Sequence, residues 1–177
     1  ERNLIENQDM KSEGILHAEL ANHLSKELNE TIFVVPRVYS DELIVKNYSY
    51  LKDFGNTLND RIPLFYCGKK IISDTNSERE LSILKKFMSN RVLFWDNLYA
   101  NDYCPKKIFI GPYFRRSHFN NTMINPTGLI ETDLFILDLI NFSTNKNKNQ
   151  NGWDCTLKKY KIPDEFRVIC RYLFPLN

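Results

Sequence analysis

Short apolar segments alternate with amphipathic ones along this chain, and that alternation restricts the fold more than any other feature of the sequence. Leucine recurs at every fourth position from Leu16 to Leu28, which predicts a helix over residues 14–28. Residues 31–35 are β-branched or aromatic, which predicts a strand that is buried on both of its faces. Strands that alternate with helices form parallel βα units, so the sequence predicts an α/β fold.

The same alternation continues toward the C-terminus. Asp41 is predicted to cap the second helix and Gly55 to supply its C-terminal turn. Residues 143–152 are rich in Asn and Lys and have no apolar period, which predicts a loop. Further helices are predicted over residues 41–54, 75–88, 131–142 and 164–174, and further strands over residues 62–66, 91–95 and 123–125.

The number of strands leaves two architectures open. The pattern begins with a helix and supplies about four strands, whereas a whole (β/α)₈ barrel takes about 250 residues. Half of a barrel would leave two parallel edge strands unpaired, which natural sheets avoid. A small doubly wound sheet needs no missing half, so the residues alone permit either architecture.

Charge and cysteine spacing exclude several classes of protein. The net charge is only +2, from 24 Lys and Arg against 22 Asp and Glu, which argues against a nucleic-acid-binding protein. No apolar run approaches the roughly 20 residues that span a bilayer, so no membrane partner is expected. The four cysteines are far apart and form no Cys-x-x-Cys pair, which argues against a metal site and favours reduced thiols in a cytoplasmic protein.

The densest polar cluster, residues 95–103, directly follows a predicted strand. It contains two carboxylates, two amides and three aromatic rings in nine residues. Ligands bind at the carboxyl ends of parallel strands, and these groups suit the hydroxyls and the apolar face of a sugar ring. A polar loop whose Asp and Asn side chains make local turns would have the same composition, so the residues alone leave both interpretations open.

A series of motifs runs through and beyond this cluster. The segment at residues 92–103 reads Val-Leu-Phe-Trp-Asp-Asn-Leu-Tyr-Ala-Asn-Asp-Tyr, and residues 107–116 continue it with a Gly-Pro-Tyr turn. An Asn-Pro pair follows at Asn125. This order of motifs resembles glycoside hydrolase family 84, which includes the protein O-GlcNAcases. A weaker likeness extends back through residues 33–39 to the helix around His17, so the resemblance covers most of the chain but not the residues after Phe142.

The resemblance implies a fold and a reaction. The implied fold is the second half, about strands five to eight, of a (β/α)₈ TIM barrel over residues 1–142. Outside the resemblance, the residue pattern alone predicts an Asn-rich loop and a closing helix over residues 143–177. The family removes β-linked N-acetylglucosamine with retention, using the acetamido oxygen of the substrate as nucleophile. Its acid/base machinery is a pair of adjacent Asp residues at the end of strand four. This chain contains no Asp-Asp pair, so no catalytic residue is predicted within it.

The resemblance also implies residues that hold the acetamido group of the sugar. Tyr39 matches a tyrosine whose hydroxyl reaches the acetamide or the reaction intermediate. Trp95 matches the tryptophan that lines the pocket for the acetamido methyl group. Asn97 matches an asparagine that hydrogen-bonds near the acetamide and the catalytic pair.

A second set of matching residues is implied to hold the sugar hydroxyls. Asp102 matches the carboxylate that binds the hydroxyls at O4 and O6, and Tyr103 is its neighbour at the rim. Asn125 matches the strand-eight asparagine that also binds ring hydroxyls. A hydrogen bond to a charged group is worth about 1.5–3 kcal/mol, more than a neutral one, so Asp102 is predicted to contribute most to affinity.

Three functional hypotheses follow. In the first, the chain supplies the sugar-binding half of a retaining, substrate-assisted β-N-acetylglucosaminidase. Its partners are then a glycoprotein or glycan that bears N-acetylglucosamine and the N-terminal half of the barrel, with no cofactor or metal. In the second, it is a non-catalytic N-acetylglucosamine-binding domain or a decayed glycosidase. In the third, it is a compact α/β domain in which residues 95–103 form only a loop.

Overall fold

The computed structural model describes residues 12–73, 75, 77–100, 122–144 and 152–166. The chain forms two compact units. The first comprises Glu1–Ile71 and Glu78–Trp95, and the second comprises Ile72–Ser77 and Asp96–Asn177.

The first unit contains two α-helices and a small parallel sheet. Strands β1 and β2 pair in parallel, with Leu64 opposite Val92 and Phe65 opposite Leu93. Val34 adds a single parallel bridge to Leu64. The predicted α/β class is therefore confirmed. The elements are α1 (Glu13–Leu28), α2 (Tyr48–Thr57), β1 (Leu64–Tyr66), β2 (Val92–Asp96) and the 3₁₀ helices Asp41–Leu43, Glu78–Leu81 and Leu84–Lys86.

Helix α1 begins at a side-chain cap that also joins it to α2. The Ser12 hydroxyl accepts a hydrogen bond from the amide of Ile15 and donates one of 2.6 Å to the Asp53 carboxylate. Within the first turn, a β-carbon added to Gly14 would lie 2.4 Å from the backbone oxygen of Tyr50. The two helices therefore approach so closely that only glycine fits at this position.

Replacing Gly14 with Ala is expected to lower the free energy of unfolding by about 1–3 kcal/mol, because the added methyl group meets backbone that has to shift. The higher helix propensity of Ala would by itself stabilise the helix by roughly 1 kcal/mol, and the steric cost is expected to outweigh this gain. Urea unfolding measures the difference. His23→Ala, an exposed change in the same helix, is the control and should alter stability by less than about 0.5 kcal/mol. A Gly14→Ala variant as stable as the parent chain would contradict the close approach.

The leucine stripe that predicted α1 does not form its buried face. Its four members are 41–58% exposed, whereas Gly14, Ala18 and Ala21 are buried. Small residues allow α1 to lie close to α2, and the leucines are left on an adjoining face. We call this exposed surface the leucine face, formed by Leu16, Leu20, Leu24 and Leu28.

The small sheet has one covered face and one open face. Leu64, Tyr66 and Phe94 point to the covered face and are fully buried. On the other face, the Phe65 ring lies 5.5 Å from the ring of Phe33 and 5.5 Å from that of Trp95. Phe33 is 46% exposed and Val35 is 38% exposed, so the prediction that residues 31–35 form a strand buried on both faces was wrong. We call the open surface the aromatic face, formed by Phe33, Phe65 and Trp95.

Two predicted helices of the first unit differ in the structure. The predicted helix over residues 41–54 divides into the 3₁₀ helix at Asp41–Leu43 and α2, and Asp41 caps neither. Gly55 lies inside α2, where its lack of a β-carbon permits close approach to the backbone oxygen of Phe87. Residues 75–88 were predicted as one helix, but the structure has two 3₁₀ helices there. Their three-residue repeat places the buried Leu81 and Leu84 on one side.

The second unit packs helices around its own apolar core. Its described elements are β3 (Thr122–Ile124), α3 (Ile130–Thr144) and α4 (Gly152–Lys159), and residues 164–166 are also helical. Strand β3 and helix α3 confirm the predictions for residues 123–125 and 131–142, whereas α4 was not predicted. The core of this unit consists of Tyr99, Phe135, Ile136, Leu139 and Leu157. No helix within the described ranges is both long and apolar enough to cross a membrane.

Candidate functional site

Two of the predicted sugar-binding residues meet in the second unit. The side-chain amide of Asn125 donates a hydrogen bond of 3.1 Å to the Oδ1 atom of Asn97. The backbone amide of Asn125 also donates to the carbonyl of Asp96 at 2.9 Å. Two residues that are 28 positions apart in sequence are thus fixed side by side. Asn125 uses its side-chain N–H in this contact, which leaves its Oδ1 atom outside the contact.

The loop after β2 is shaped by local hydrogen bonds. The Asp96 carboxylate accepts from the amide of Leu98 at 3.0 Å, and the Asn97 carbonyl accepts from the amide of Ala100 at 3.1 Å. Asp96 and Asn97 are both buried, with 3% and 8% of their surfaces exposed. The interpretation of this segment as a turn stabilised by Asp side chains is therefore correct for Asp96. The same turn holds the Asn97 amide beside Asn125.

The Asn-Pro turn after Asn125 is held by a carboxylate that the sequence analysis missed. Asp133, in the first turn of α3, accepts from the Thr127 amide at 2.8 Å and from its hydroxyl at 2.7 Å. It also accepts from the amide of Gly128 at 3.1 Å, where a backbone φ of 79° favours glycine. The signal was present as an acidic residue in the first turn of a predicted helix, shortly after a Thr-Gly pair. These bonds fix the backbone that carries Asn125.

Tyr39 and Trp95 belong to the first unit, and both contact the β1 segment. The carbonyl of Tyr39 accepts a hydrogen bond of 2.7 Å from the amide of Cys67, just beyond the end of β1. The Trp95 ring contacts Phe65, which is inside β1. Both side chains are half-buried. The carboxyl-terminal part of β1 therefore supports two of the predicted acetamide-binding residues.

A buried tyrosine anchors the segment that leads into Tyr39. The Tyr50 hydroxyl accepts a hydrogen bond of 2.9 Å from the backbone amide of Arg37 and lies 2.7 Å from Nδ1 of His17. The direction of the hydrogen bond between Tyr50 and His17 depends on the tautomer of the imidazole. Burial raises the pKa of Tyr50 to about 12 and lowers the pKa of His17 below its usual value. Both groups are thus neutral in the folded protein at neutral pH, which suits this bond.

Two predicted site residues, Asp102 and Tyr103, lie outside the described residues. Their role stays a prediction from the sequence. Within the part of the chain that the structure describes, no group of three His, Cys, Asp or Glu side chains could hold a metal ion.

Comparison with known proteins identifies the family. The sequence model described as beta-N-acetylglucosaminidase matches residues 2–151, which is most of the chain. The chain belongs to the beta-N-acetylglucosaminidase family. The resemblance to glycoside hydrolase family 84 that the motifs carry is thereby confirmed.

Curated relatives of this beta-N-acetylglucosaminidase family member are much longer than the chain. The Protein O-GlcNAcase of Mus musculus is 28% identical over 131 residues, which cover 70% of this chain and 14% of that protein. The Protein O-GlcNAcase of Rattus norvegicus is 27% identical over the same length, with the same coverage. The chain thus spans only a small part of the length of these relatives.

Solved structures share the fold. An O-GlcNAc hydrolase from Thermobaculum terrenum, solved as the D120N mutant, superposes with a TM-score of 0.73 at 21% identity. The match covers 94% of this chain and 39% of that one. CpGH84B superposes with a TM-score of 0.71 at 19% identity, covering 92% of this chain and 33% of that chain. The α/β fold of this beta-N-acetylglucosaminidase family member is thus the fold of part of each of these proteins.

Proposed function

We propose that this chain is the second half, about strands five to eight, of a (β/α)₈ barrel and supplies the sugar-binding half of a retaining, substrate-assisted β-N-acetylglucosaminidase. The family match over residues 2–151 carries the proposal. The substrate is N-acetylglucosamine on a glycoprotein or glycan. The proposed binding residues are Tyr39, Trp95, Asn97, Asp102, Tyr103 and Asn125.

The contacts of the described site residues support their proposed roles. Asn97 is buried and its orientation is fixed by the bond from Asn125. Asn125 then presents its Oδ1 atom as an acceptor for a sugar hydroxyl. Trp95 offers a half-buried ring, whose apolar surface suits the acetamido methyl group. Groups that are already held in place lose little conformational entropy when a sugar binds.

The general acid and base come from outside these residues in our proposal. None of the 177 residues forms an adjacent Asp pair. The chain covers 39% of the Thermobaculum terrenum hydrolase, which leaves room in such a protein for the other barrel half. The partner of this chain is therefore an N-terminal barrel half, in the same polypeptide or in another one, that carries the two carboxylates.

Two exposed apolar surfaces of the first unit support such a partner. The aromatic face leaves Phe33 46% exposed at the open side of the sheet. The leucine face leaves Leu20 55% exposed and Leu28 58% exposed on α1. Contiguous exposed apolar surface marks a site of interaction in soluble proteins. A further set of strands and helices would cover both surfaces.

Hydrolysis of a chromogenic N-acetyl-β-glucosaminide tests this proposal. We expect no hydrolysis by the chain alone, because the acid is missing, and hydrolysis when the chain is mixed with an N-terminal barrel half that carries the Asp-Asp pair. The matched control is the same half with both Asp residues changed to Asn, which should give no activity. Sugar binding without hydrolysis in the mixture that contains the intact Asp-Asp pair would contradict the enzymatic role.

That outcome would support a second candidate function, a non-catalytic N-acetylglucosamine-binding domain. The lack of an Asp-Asp pair in this chain favours this candidate.

A further inference from the structure

The segment that follows Tyr39 is tied to the end of β1 by a ladder of hydrogen bonds. The Tyr39 carbonyl accepts from the Cys67 amide at 2.7 Å, and the Asp41 amide donates to the Gly68 carbonyl at 2.9 Å. The Glu42 amide donates to the carbonyl of Lys69 at 3.2 Å. This ladder fixes the backbone on both sides of Ser40, and therefore the point from which the Tyr39 side chain projects.

A side-chain bond strengthens the ladder from the covered side of the sheet. The Tyr66 hydroxyl donates a hydrogen bond of 2.7 Å to the Oδ1 atom of Asp41. Tyr66 is fully buried and points away from the aromatic face, because it alternates with Phe65 along β1. The bond is thus formed behind the sheet, two residues from Tyr39 in sequence. The bond is part-buried, and a charge-assisted bond with limited access to water holds a loop more firmly than a fully exposed one.

We propose that Asp41 is a positioning residue for sugar binding, which sets the place of Tyr39 through its hydrogen bond with the Tyr66 hydroxyl. This inference rests on the proposed function, in which Tyr39 contacts the acetamido group. Asp41 itself does not touch the sugar in this scheme. The sequence predicted that Asp41 caps a helix, but in the structure its carboxylate accepts a hydrogen bond from Tyr66 instead.

The charges around Asp41 make the arrangement sensitive to pH. Burial raises the pKa of Asp41 above its usual value, while the bond from Tyr66 and the positive charge of Lys69 act in the opposite direction. The groups that act on it are Tyr66 at the end of β1 and Lys69 just beyond that end, while the Glu42 carboxylate on the same 3₁₀ helix accepts from the Ile71 amide. The bond from Tyr66 is stronger to ionised Asp41, so this one contribution is greatest above the pKa of Asp41 and declines as the pH falls through it, whereas burial favours the protonated carboxyl.

Two variants are expected to remove the dependence of N-acetylglucosamine binding on the titration of Asp41. Tyr66→Phe removes the hydroxyl through which Asp41 holds the loop, so binding is weaker and no longer changes as Asp41 is protonated. Asp41→Asn keeps an acceptor for Tyr66 that does not titrate, so binding persists to lower pH than in the parent chain. At neutral pH, Tyr66→Phe should also weaken binding by about tenfold. Calorimetric titration of the full chain over the acid range measures all three effects.

Tyr160→Phe is the matched control. Its hydroxyl donates a bond of 2.8 Å to Asp138, the same pair of groups in the second unit. This change should leave both the affinity and its pH dependence unaltered. Parental affinity and pH dependence in both Tyr66→Phe and Asp41→Asn would overturn the inference, because they would show that the bond between these residues does not act on sugar binding.

A second readout separates this inference from the proposed function. The NMR signals of the Tyr39 ring should follow the titration of Asp41 in the parent chain, and should no longer follow it in Tyr66→Phe. If the chain binds no N-acetylglucosamine but Tyr39 still follows Asp41, the proposed function fails and the link between the two residues stands. If the sugar binds and Tyr39 ignores Asp41, the inference fails and the proposed function stands.

Discussion

Replacing Asp102 with Ala is expected to lower the affinity for N-acetylglucosamine by about 10- to 100-fold. The reason is the strength of hydrogen bonds between sugar hydroxyls and a carboxylate, about 1.5–3 kcal/mol for a charged group. Asn97 and Asn125 offer only neutral amides, so their loss should cost less. Calorimetric titration of the parent chain and the variant with N-acetylglucosamine measures the change.

Two companion variants define what the Asp102 result means. Asp102→Asn keeps the shape of the side chain without its charge, and its affinity should lie between those of Asp102→Ala and the parent. Glu30→Ala removes an exposed carboxylate outside the predicted site and should leave the affinity unchanged. Unaltered sugar binding in Asp102→Ala would support the third hypothesis, in which residues 95–103 form only a loop.

The isolated chain is expected to self-associate or to unfold readily, because the leucine face and the aromatic face are open to water. Leu20 and Leu24 are 55% and 41% exposed. Burial of a leucine side chain is worth roughly 1.5–3 kcal/mol when complete. Changing both residues to Lys should therefore weaken self-association by at least about tenfold. The same double variant should fail to restore hydrolysis with the N-terminal barrel half.

Sedimentation velocity over a range of concentrations measures this association. The control is a variant with Thr31→Lys and Asn56→Lys, which adds the same charge at exposed polar positions outside the leucine face. It should associate as the parent chain does. A parent chain that sediments as a 21.0 kDa monomer and unfolds in one sharp two-state transition would contradict the expectation of open apolar surfaces.

Local sequence patterns predicted the elements whose stability is local. Helix α1 occupies Glu13–Leu28 against a predicted 14–28, and β2 occupies Val92–Asp96 against a predicted 91–95. Residues 75–88 have a helical pattern too, but the structure forms two short 3₁₀ helices there, with Leu81 and Leu84 both buried. Helix α4 was not predicted, because the Asn-rich residues before it have no apolar period. The helix packs on the second unit through Leu157, which lies in the core of that unit.

The candidate site, too, was predicted from the sequence only in part. The motif around Trp95 and Asn97 was sufficient to predict the family, since the order of residue types is itself the signature. The partners of those residues were not predictable, because they come from distant positions.

The sequence by itself determined the α/β class, the family and the residue types that suit a hexosamine. These properties follow from periodicity and from motif order, which can both be read directly from the order of residues in the chain. Only the tertiary structure decided that Asn125 holds Asn97, that Asp41 bonds to Tyr66, and that the leucines of α1 stay exposed while Ala18 and Ala21 are buried. Each of these depends on how closely two backbones approach, and no local pattern encodes that distance.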